Sequence, residues 1–210
     1  MTVVVICDEN QQNEMMQQGV EPSSDFRWIR QLTMIPSVMD ACIDLEYDTD
    51  RETRKEQLCK TNAQIIIVND TTGTTIGMPD HFIRINGWPG FLKRSTIEAT
   101  TNNEMKKTVT EMLFHFFGKT ITWLPDIPGL VTARVISSIV NEAFFALEDG
   151  VSSREEIDIA MKLGTNYPYG PFEWSKIIGI KKIFELLETL RISNARYTPS
   201  ILLKKEAENE

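Results

Sequence analysis

Short apolar runs bounded by polar residues recur through the first 125 residues. The runs at 2–6 and 65–68 are rich in β-branched residues, a pattern typical of parallel strands covered on both faces. Further strands are predicted at 25–32, 41–47, 82–85, 96–100 and 120–124, and helices at 51–60 and 103–117. This alternation predicts an α/β domain with a parallel or mixed sheet over residues 1–125.

After Leu124 the pattern becomes helical. A Pro/Gly segment, PDIPG, precedes apolar residues that recur at helical spacing over 130–147, which predicts one long amphipathic helix ending at Gly150. The next residues, SSRE, have the S-x-x-E form in which Ser152 would cap a second helix and Glu155 would bond back to it. Further helices are predicted at 172–178 and 180–192 and near the C-terminus, so that 126–210 forms an all-helical domain.

Composition and charge narrow the classes of function. A formal net charge of -8 and a pI near 5.0 argue against a nucleic acid partner, which usually requires a basic face. We expect no membrane span, no targeting segment and a cytoplasmic location, because no apolar run is long enough to cross a bilayer. The two histidines and three cysteines lack metal-ligand spacing, so no metal site is expected.

Several motifs in one order resemble the 3-hydroxyacyl-CoA dehydrogenase family, including its 3-hydroxybutyryl-CoA dehydrogenases. The run DIPGLVTARVISSIVNEAFFALEDGVSSREEIDIAMKLGTNYPYGPFEW resembles the start of the family's helical C-terminal domain. Weaker similarity extends back to about residue 40. The resemblance implies a Rossmann-like α/β domain, here reduced, followed by the helical domain, and it implies a protein of fatty acid metabolism.

The family oxidises the 3-hydroxyl of an acyl-CoA with NAD, using a histidine base that a glutamate orients. By the family's spacing, the histidine position falls on Asn86 and the glutamate on Glu98, while the hydroxyls of its Asn-Thr-Ser-Ser run fall on Thr71 and Thr72. An amide cannot accept the proton that the base must remove. The four residues are therefore expected to mark a catalytic site that has lost its base.

Two further asparagines of the family pattern fall on Pro89 and Ala133. Simpler interpretations of the retained positions remain open. Glu98 would serve equally as a solvated strand residue, Asn86 with Gly87 as a turn, and the two threonines as turn residues.

The glycine-rich loop of the family is also absent. In a G-x-G-x-x-G loop the glycines let the backbone approach the pyrophosphate at a helix N-terminus. Those three places hold Cys7, Glu9 and Gln12, and Asp8 adds a second acid that would repel the phosphates. The helix that should follow the ribose-binding strand is largely missing. We therefore expect no cofactor, although the family uses NAD.

Three hypotheses remain. The first is a pseudoenzyme that lost NAD binding and the base but kept an acyl-CoA-type ligand or a regulatory role. The second is an active NAD-dependent 3-hydroxyacyl-CoA oxidoreductase in which, for example, Glu98 acts directly as the base. The third is an assembly-only structural partner. Adjacent Phe144 and Phe145 cannot both face one narrow groove, so a two-fold homodimer through the helical domain is expected.

Overall fold

The first of two compact units is an α/β domain. In a computed structural model that describes residues 1–19 and 25–210, the chain divides into Met1–Leu130 and Val131–Glu210, a few residues after the predicted boundary. The first unit holds seven strands: Thr2–Ile6 (β1), Asp25–Ile29 (β2), Ala41–Asp44 (β3), Ile65–Asn69 (β4), Phe82–Ile85 (β5), Thr96–Thr100 (β6) and Thr120–Trp123 (β7). Its α-helices are Glu9–Met16 (α1), Arg51–Leu58 (α2) and Lys107–His115 (α3).

The strands form one mixed sheet in the order β2-β1-β3-β4-β5-β6-β7. Neighbouring strands run parallel except at β5 and β6, which pair antiparallel. The chain passes from β1 to β2 on one side and on to β3 on the other, so a topological switch point lies between β1 and β3. Ligands of doubly wound sheets bind beside the carboxyl ends of the strands at such a point.

Apolar residues cover both faces of this sheet. On one face Val3, Val5 and Ile43 pack with Leu113 and Phe114 of α3, and on the other Val4, Ile66 and others pack with Leu58 of α2. Central strands that bury both faces need continuous apolar sequence rather than alternation. This explains why 2–6 and 65–68 indicate strands so clearly.

Two predicted strands are shorter in the structure. The strand predicted at 25–32 ends at Ile29, because its neighbour β1 ends at Ile6, the residue paired with Ile29. The strand predicted at 41–47 ends at Asp44, where the Asp44 carboxylate accepts the Glu46 N–H and turns the chain. The predicted helix 103–117 begins as the 3-10 turn Glu104–Lys106 before α3.

The second unit contains five α-helices: Thr132–Glu148 (α4), Arg154–Thr165 (α5), Pro171–Ile178 (α6), Ile180–Arg191 (α7) and Ile201–Ala207 (α8). Phe144 of α4 is fully buried and meets Phe172 of α6 edge-to-face at 5.1 Å between ring centroids. The helix after α4 is capped one residue later than predicted. Ser153, not Ser152, is its N-cap, and its partner is Glu156, not Glu155. The shift lets Ser153 Oγ accept the Glu156 N–H while Glu156 accepts the Ser153 N–H.

Candidate functional site

Three of the four candidate catalytic residues meet where β5 ends. Asn86 follows β5 directly, and the antiparallel pairing of β5 with β6 places it opposite Glu98, whose carbonyl accepts the Asn86 N–H at 3.1 Å. The Asn86 side chain donates from Nδ2 to Glu98 Oε2 at 3.4 Å. Its Oδ1 accepts the Thr71 hydroxyl at 3.2 Å. The three side chains therefore form one chain of hydrogen bonds.

Asn69, the last residue of β4, holds this hydrogen-bond network in place. Its Oδ1 accepts the Gly87 N–H at 2.9 Å and lies 3.3 Å from Thr71 Oγ1, and its Nδ2 donates to the Leu45 carbonyl at 3.0 Å. A Cβ on Gly87 would lie 2.8 Å from Asn69 Cγ, so this position requires glycine. Asn69, Thr71 and Asn86 are buried, and burial without these bonds would cost free energy. The polar groups are thus held in one arrangement.

The fourth candidate, Thr72, lies outside this network. Its hydroxyl accepts from the guanidinium of Arg51, whose Nε also donates to Asp70 Oδ1 at 2.8 Å. Asp70 Oδ1 accepts the Gly73 N–H at 3.0 Å as well. Thr72 therefore belongs to the contact between α2 and the loop after β4. The structure therefore does not bring Thr72 together with Asn86 and Glu98, because adjacent residues in this loop face different partners.

A buried arginine fixes the Thr71 loop. Arg84, on β5, is fully buried and donates from Nη1 to the Asp70 carbonyl at 2.7 Å. Its Nη2 lies 3.0 Å from Asp126 Oδ1, and Asp126 Oδ2 accepts both the N–H and the hydroxyl of Thr75 at 2.8 Å. The Arg84 guanidinium therefore joins two loops, the loop after β4 that carries Thr71 and the loop after β7 that carries Asp126.

The loop between Asn86 and β6 is held in place by two charged side chains. Both Glu14 carboxylate oxygens accept the Gly90 N–H, at 2.8 and 3.0 Å. The buried ammonium of Lys119 donates to the carbonyls of Leu92 and Arg94 at 2.6 and 2.9 Å. Burial lowers the pKa of Lys119 to about 8, against the nearby Glu14 charge, which raises it. The loop 86–95 is therefore anchored by Glu14 of α1 and by Lys119, the residue before β7.

After β1, backbone N–H and carbonyl groups of residues 7–11 form hydrogen bonds with side chains of the protein. Asp8 caps α1 by accepting the Gln11 N–H at 2.7 Å, and Gln11 Oε1 accepts the Asp8 N–H. Arg30, directly after β2, donates from Nη1 to the carbonyls of Cys7 and Asp8 at 2.9 and 2.8 Å. Arg30 Nη2 donates to Gln12 Oε1 at 2.5 Å. Side chains of Asp8 and Arg30 thus lie where a glycine-rich loop would leave open backbone.

The neighbouring end of β3 carries a buried ion pair that the sequence analysis missed. Asp44 is fully buried and accepts from Arg54 Nη1 of α2 at 2.7 and 2.8 Å. Burial raises the pKa of Asp44 to about 6, while Arg54 lowers it. Burial also raises the pKa of Glu46, with Asp8 adding to the effect. The switch point between β1 and β3 is therefore rich in carboxylates.

The remaining candidate positions add no catalytic group. Pro89 is half-buried in the loop after β5, and Ala133 is buried in α4. His81 precedes β5, at the opposite end of the strand from Asn86, and His115 is exposed on α3. Across residues 1–19 and 25–210, no three His, Cys, Asp or Glu side chains cluster as metal ligands. Among the helices of the same residues, none has the length and hydropathy of a membrane span.

Known proteins match this chain in its helical part and, at lower identity, beyond it. Residues 129–210 match the family described as 3-hydroxyacyl-CoA dehydrogenase, C-terminal domain. The chain is 45% identical over 92 residues to 3-hydroxyadipyl-CoA dehydrogenase of Escherichia coli, covering 43% of this chain and 19% of that protein. It is 32% identical over 144 residues to a probable 3-hydroxybutyryl-CoA dehydrogenase of Bacillus subtilis, covering 68% of this chain and 49% of the relative. The chain thus spans half or less of these two relatives.

The fold is shared over nearly the whole chain. The structure of (S)-3-hydroxybutyryl-CoA dehydrogenase PaaH1 from Ralstonia eutropha superposes with a TM-score of 0.73 at 20% identity, covering 97% of this chain and 92% of that one. Both parts of the predicted architecture, a Rossmann-like α/β region and a helical C-terminal domain, are therefore confirmed. The chain belongs to the 3-hydroxyacyl-CoA dehydrogenase family.

Proposed function

We propose that this protein has lost NAD-dependent turnover and acts as a binding or regulatory protein for an acyl-CoA-type ligand. The end of β1 is the observation that carries the proposal. A pyrophosphate needs free N–H groups and close backbone approach at a helix N-terminus. Here the Asp8 carboxylate already accepts the Gln11 N–H, and Arg30 bridges the Cys7 and Asp8 carbonyls. The residues present do not fit NAD.

The polar chain at Asn86 supports the same proposal. The family's reaction requires a base that takes the hydroxyl proton and an acid that stabilises the resulting cation. Asn86 makes the hydrogen bond to Glu98 that an oriented imidazole would make, but its amide has no accessible pKa for proton transfer. Asn86 therefore keeps the hydrogen bonds to Glu98 and Thr71, but it cannot take up a proton. It suits recognition of a polar group better than its oxidation.

An active dehydrogenase is the alternative function. It would need Glu98 to serve as the base and a nucleotide contact that does not use the end of β1. Glu98 is only half-buried and its Oε2 accepts from Asn86, so a carboxylate oxygen lies on β6 beside the position of the missing base. This alternative requires both a new base and a new nucleotide-binding contact, whereas loss of turnover requires neither.

A thermal-shift experiment on the full chain separates these functions from an assembly-only role. We expect acetoacetyl-CoA to raise the unfolding temperature, while NAD and NADH leave it unchanged, because only a ligand of the native state adds stability. At a ligand concentration of about 100 Kd the added stability is roughly 2.7 kcal/mol. Coenzyme A alone is the control for the acyl group. A shift with NADH would support the active enzyme, and no shift with any compound would support assembly alone.

A further inference from the structure

The second unit brings two arginines to the ring of Tyr197. Arg134 lies in the first turn of α4, and its guanidinium carbon is 5.5 Å from the centroid of that ring. Arg196 lies with Tyr197 in a 3-10 turn, and its guanidinium carbon is 4.6 Å from the same centroid. It also donates to the Tyr197 hydroxyl. Because the face of an aromatic ring attracts cations, one buried tyrosine holds both guanidinium groups in this part of the unit.

Asn141, on α4, fixes the segment that carries Arg196. Its Nδ2 donates to the Thr198 carbonyl at 2.9 Å, and its Oδ1 accepts the Ser200 N–H at 2.8 Å. Asn141 is buried, so losing these bonds would cost free energy. A contact between α4 and the chain before α8 therefore brings Arg196 to the same place as Arg134.

The charges of these two arginines are not matched by acidic partners. Among the residues that the structure describes, neither guanidinium forms an ion pair with a carboxylate. The Arg134 Nε is buried, and no group within the described part of the chain accepts a hydrogen bond from it. Buried donors are usually bonded, so this nitrogen marks a place for an acceptor from outside the chain.

Both arginines line an open depression of about 470 Å³. Its apolar wall consists of Val135, Ile139, Phe145 and Leu187. Arg134 and Phe145 are about 16 Å apart along α4, at roughly 1.5 Å of rise per residue. The third charged residue of the lining is Glu142, which leaves the depression with an excess of positive charge. The depression thus combines cations near one end of α4 with an apolar wall that continues along the helix.

We propose that this depression binds a monocarboxylate with an apolar tail, with its carboxylate at Arg134 and Arg196 and its tail along α4 toward Phe145. A planar guanidinium presents donors in the geometry that a carboxylate accepts. Two guanidinium groups and one carboxylate suit a ligand with a single negative charge, whereas a phosphate monoester carries about two. The proposal concerns the second unit alone and does not depend on the proposed function.

Calorimetric titration of the full chain with octanoate tests the proposal. Octanoate should bind saturably, while octan-1-ol, which lacks the charge, and acetate, which lacks the tail, should each bind at least about tenfold more weakly. R134Q and R196Q should each weaken octanoate binding at least about tenfold, because each removes a charged donor to the carboxylate. Lys205→Gln, which removes an exposed charge on α8 outside the depression, is the control and should leave the affinity unchanged.

A further variant separates loss of the site from loss of folding. Val135 is 45% exposed, so V135E should keep the unfolding temperature of the ligand-free wild type while its new carboxylate repels octanoate. The proposal is overturned if octanoate gives no saturable heat up to about 1 mM, which includes the case of a second copy covering the depression. Octan-1-ol that binds as tightly as octanoate, or full affinity in R134Q and R196Q, would overturn it as well.

Discussion

By the family resemblance, Asn86 falls on the position of the catalytic histidine, and its side chain contacts Glu98 and Thr71. The side chain donates to Glu98 and accepts from Thr71, so the local geometry does not depend on an imidazole. What changes is the proton chemistry. A histidine titrates near neutral pH, and an amide does not.

Replacing Asn86 with histidine should therefore leave acetoacetyl-CoA reduction at background. General base catalysis is worth about 100 to 10,000-fold, but only on a bound cofactor. Absorbance of NADH measures the rate. The matched control is Glu98→Gln in the wild-type chain, which should also stay at background. Robust wild-type turnover that Glu98→Gln abolishes would instead identify Glu98 as a relocated base.

Motif spacing selected Thr71, Asn86 and Glu98, and the structure joins their side chains in one network of hydrogen bonds. It could not locate Arg84, and it gave no role to Asn69, the first residue of the matched Asn-Thr-Ser-Ser run, because the partners of both side chains lie on other strands and loops. Arg84 contacts Asp126, which is 42 residues away, and Asn69 contacts Leu45 and Gly87. Spacing alone also could not show that the Thr72 hydroxyl accepts from Arg51 rather than joining Asn86.

At the scale of elements, the Asp44–Arg54 pair joins β3 to α2 inside the protein. Burial raises the pKa of Asp44 from 3.8 to about 6, so the folded state binds a proton more tightly than the unfolded chain. The contribution of Asp44 to stability is therefore fully present below its unfolded pKa and is lost as the pH rises through about 6.

Urea unfolding of the wild type and of D44N, at several pH values, measures this contribution. The free energy of unfolding of the wild type, relative to D44N, should fall by about 2 kcal/mol between pH 4 and pH 7. Asp40→Asn, an exposed change that precedes β3, is the control for general charge effects. A relative stability that rises with pH would mean that the attraction of Arg54 exceeds the cost of burying Asp44.

Elements with continuous apolar sequence were the most predictable. β1 and β4 were predicted at nearly their observed bounds, because burial of both faces leaves few alternatives. The short α1 was not predicted as a helix. It contains ENQQNEMM, with little apolar periodicity, and depends on the Asp8 cap and on the packing of Met15. Ends of elements depend on such contacts more than on the pattern within them.

At the scale of the whole molecule, the chain keeps the fold of its family. The Rossmann-like sheet is kept, with its switch point between β1 and β3. Near that point the Asp8 charge adds to the burial that raises the pKa of Glu46, and Arg30 bonds to the Cys7 and Asp8 carbonyls. Like charges in a partly buried crevice repel strongly because the local dielectric is low.

Calorimetric titration of the full chain with NADH tests this claim most directly. The account predicts no saturable heat at nucleotide concentrations up to about 1 mM, which corresponds to a binding free energy weaker than roughly 4 kcal/mol. Malate dehydrogenase or another NADH-binding enzyme titrated with the same solution is the positive control. Saturable binding of NADH with micromolar affinity would contradict the account, because the end of β1 would then accept a pyrophosphate despite Asp8 and Arg30.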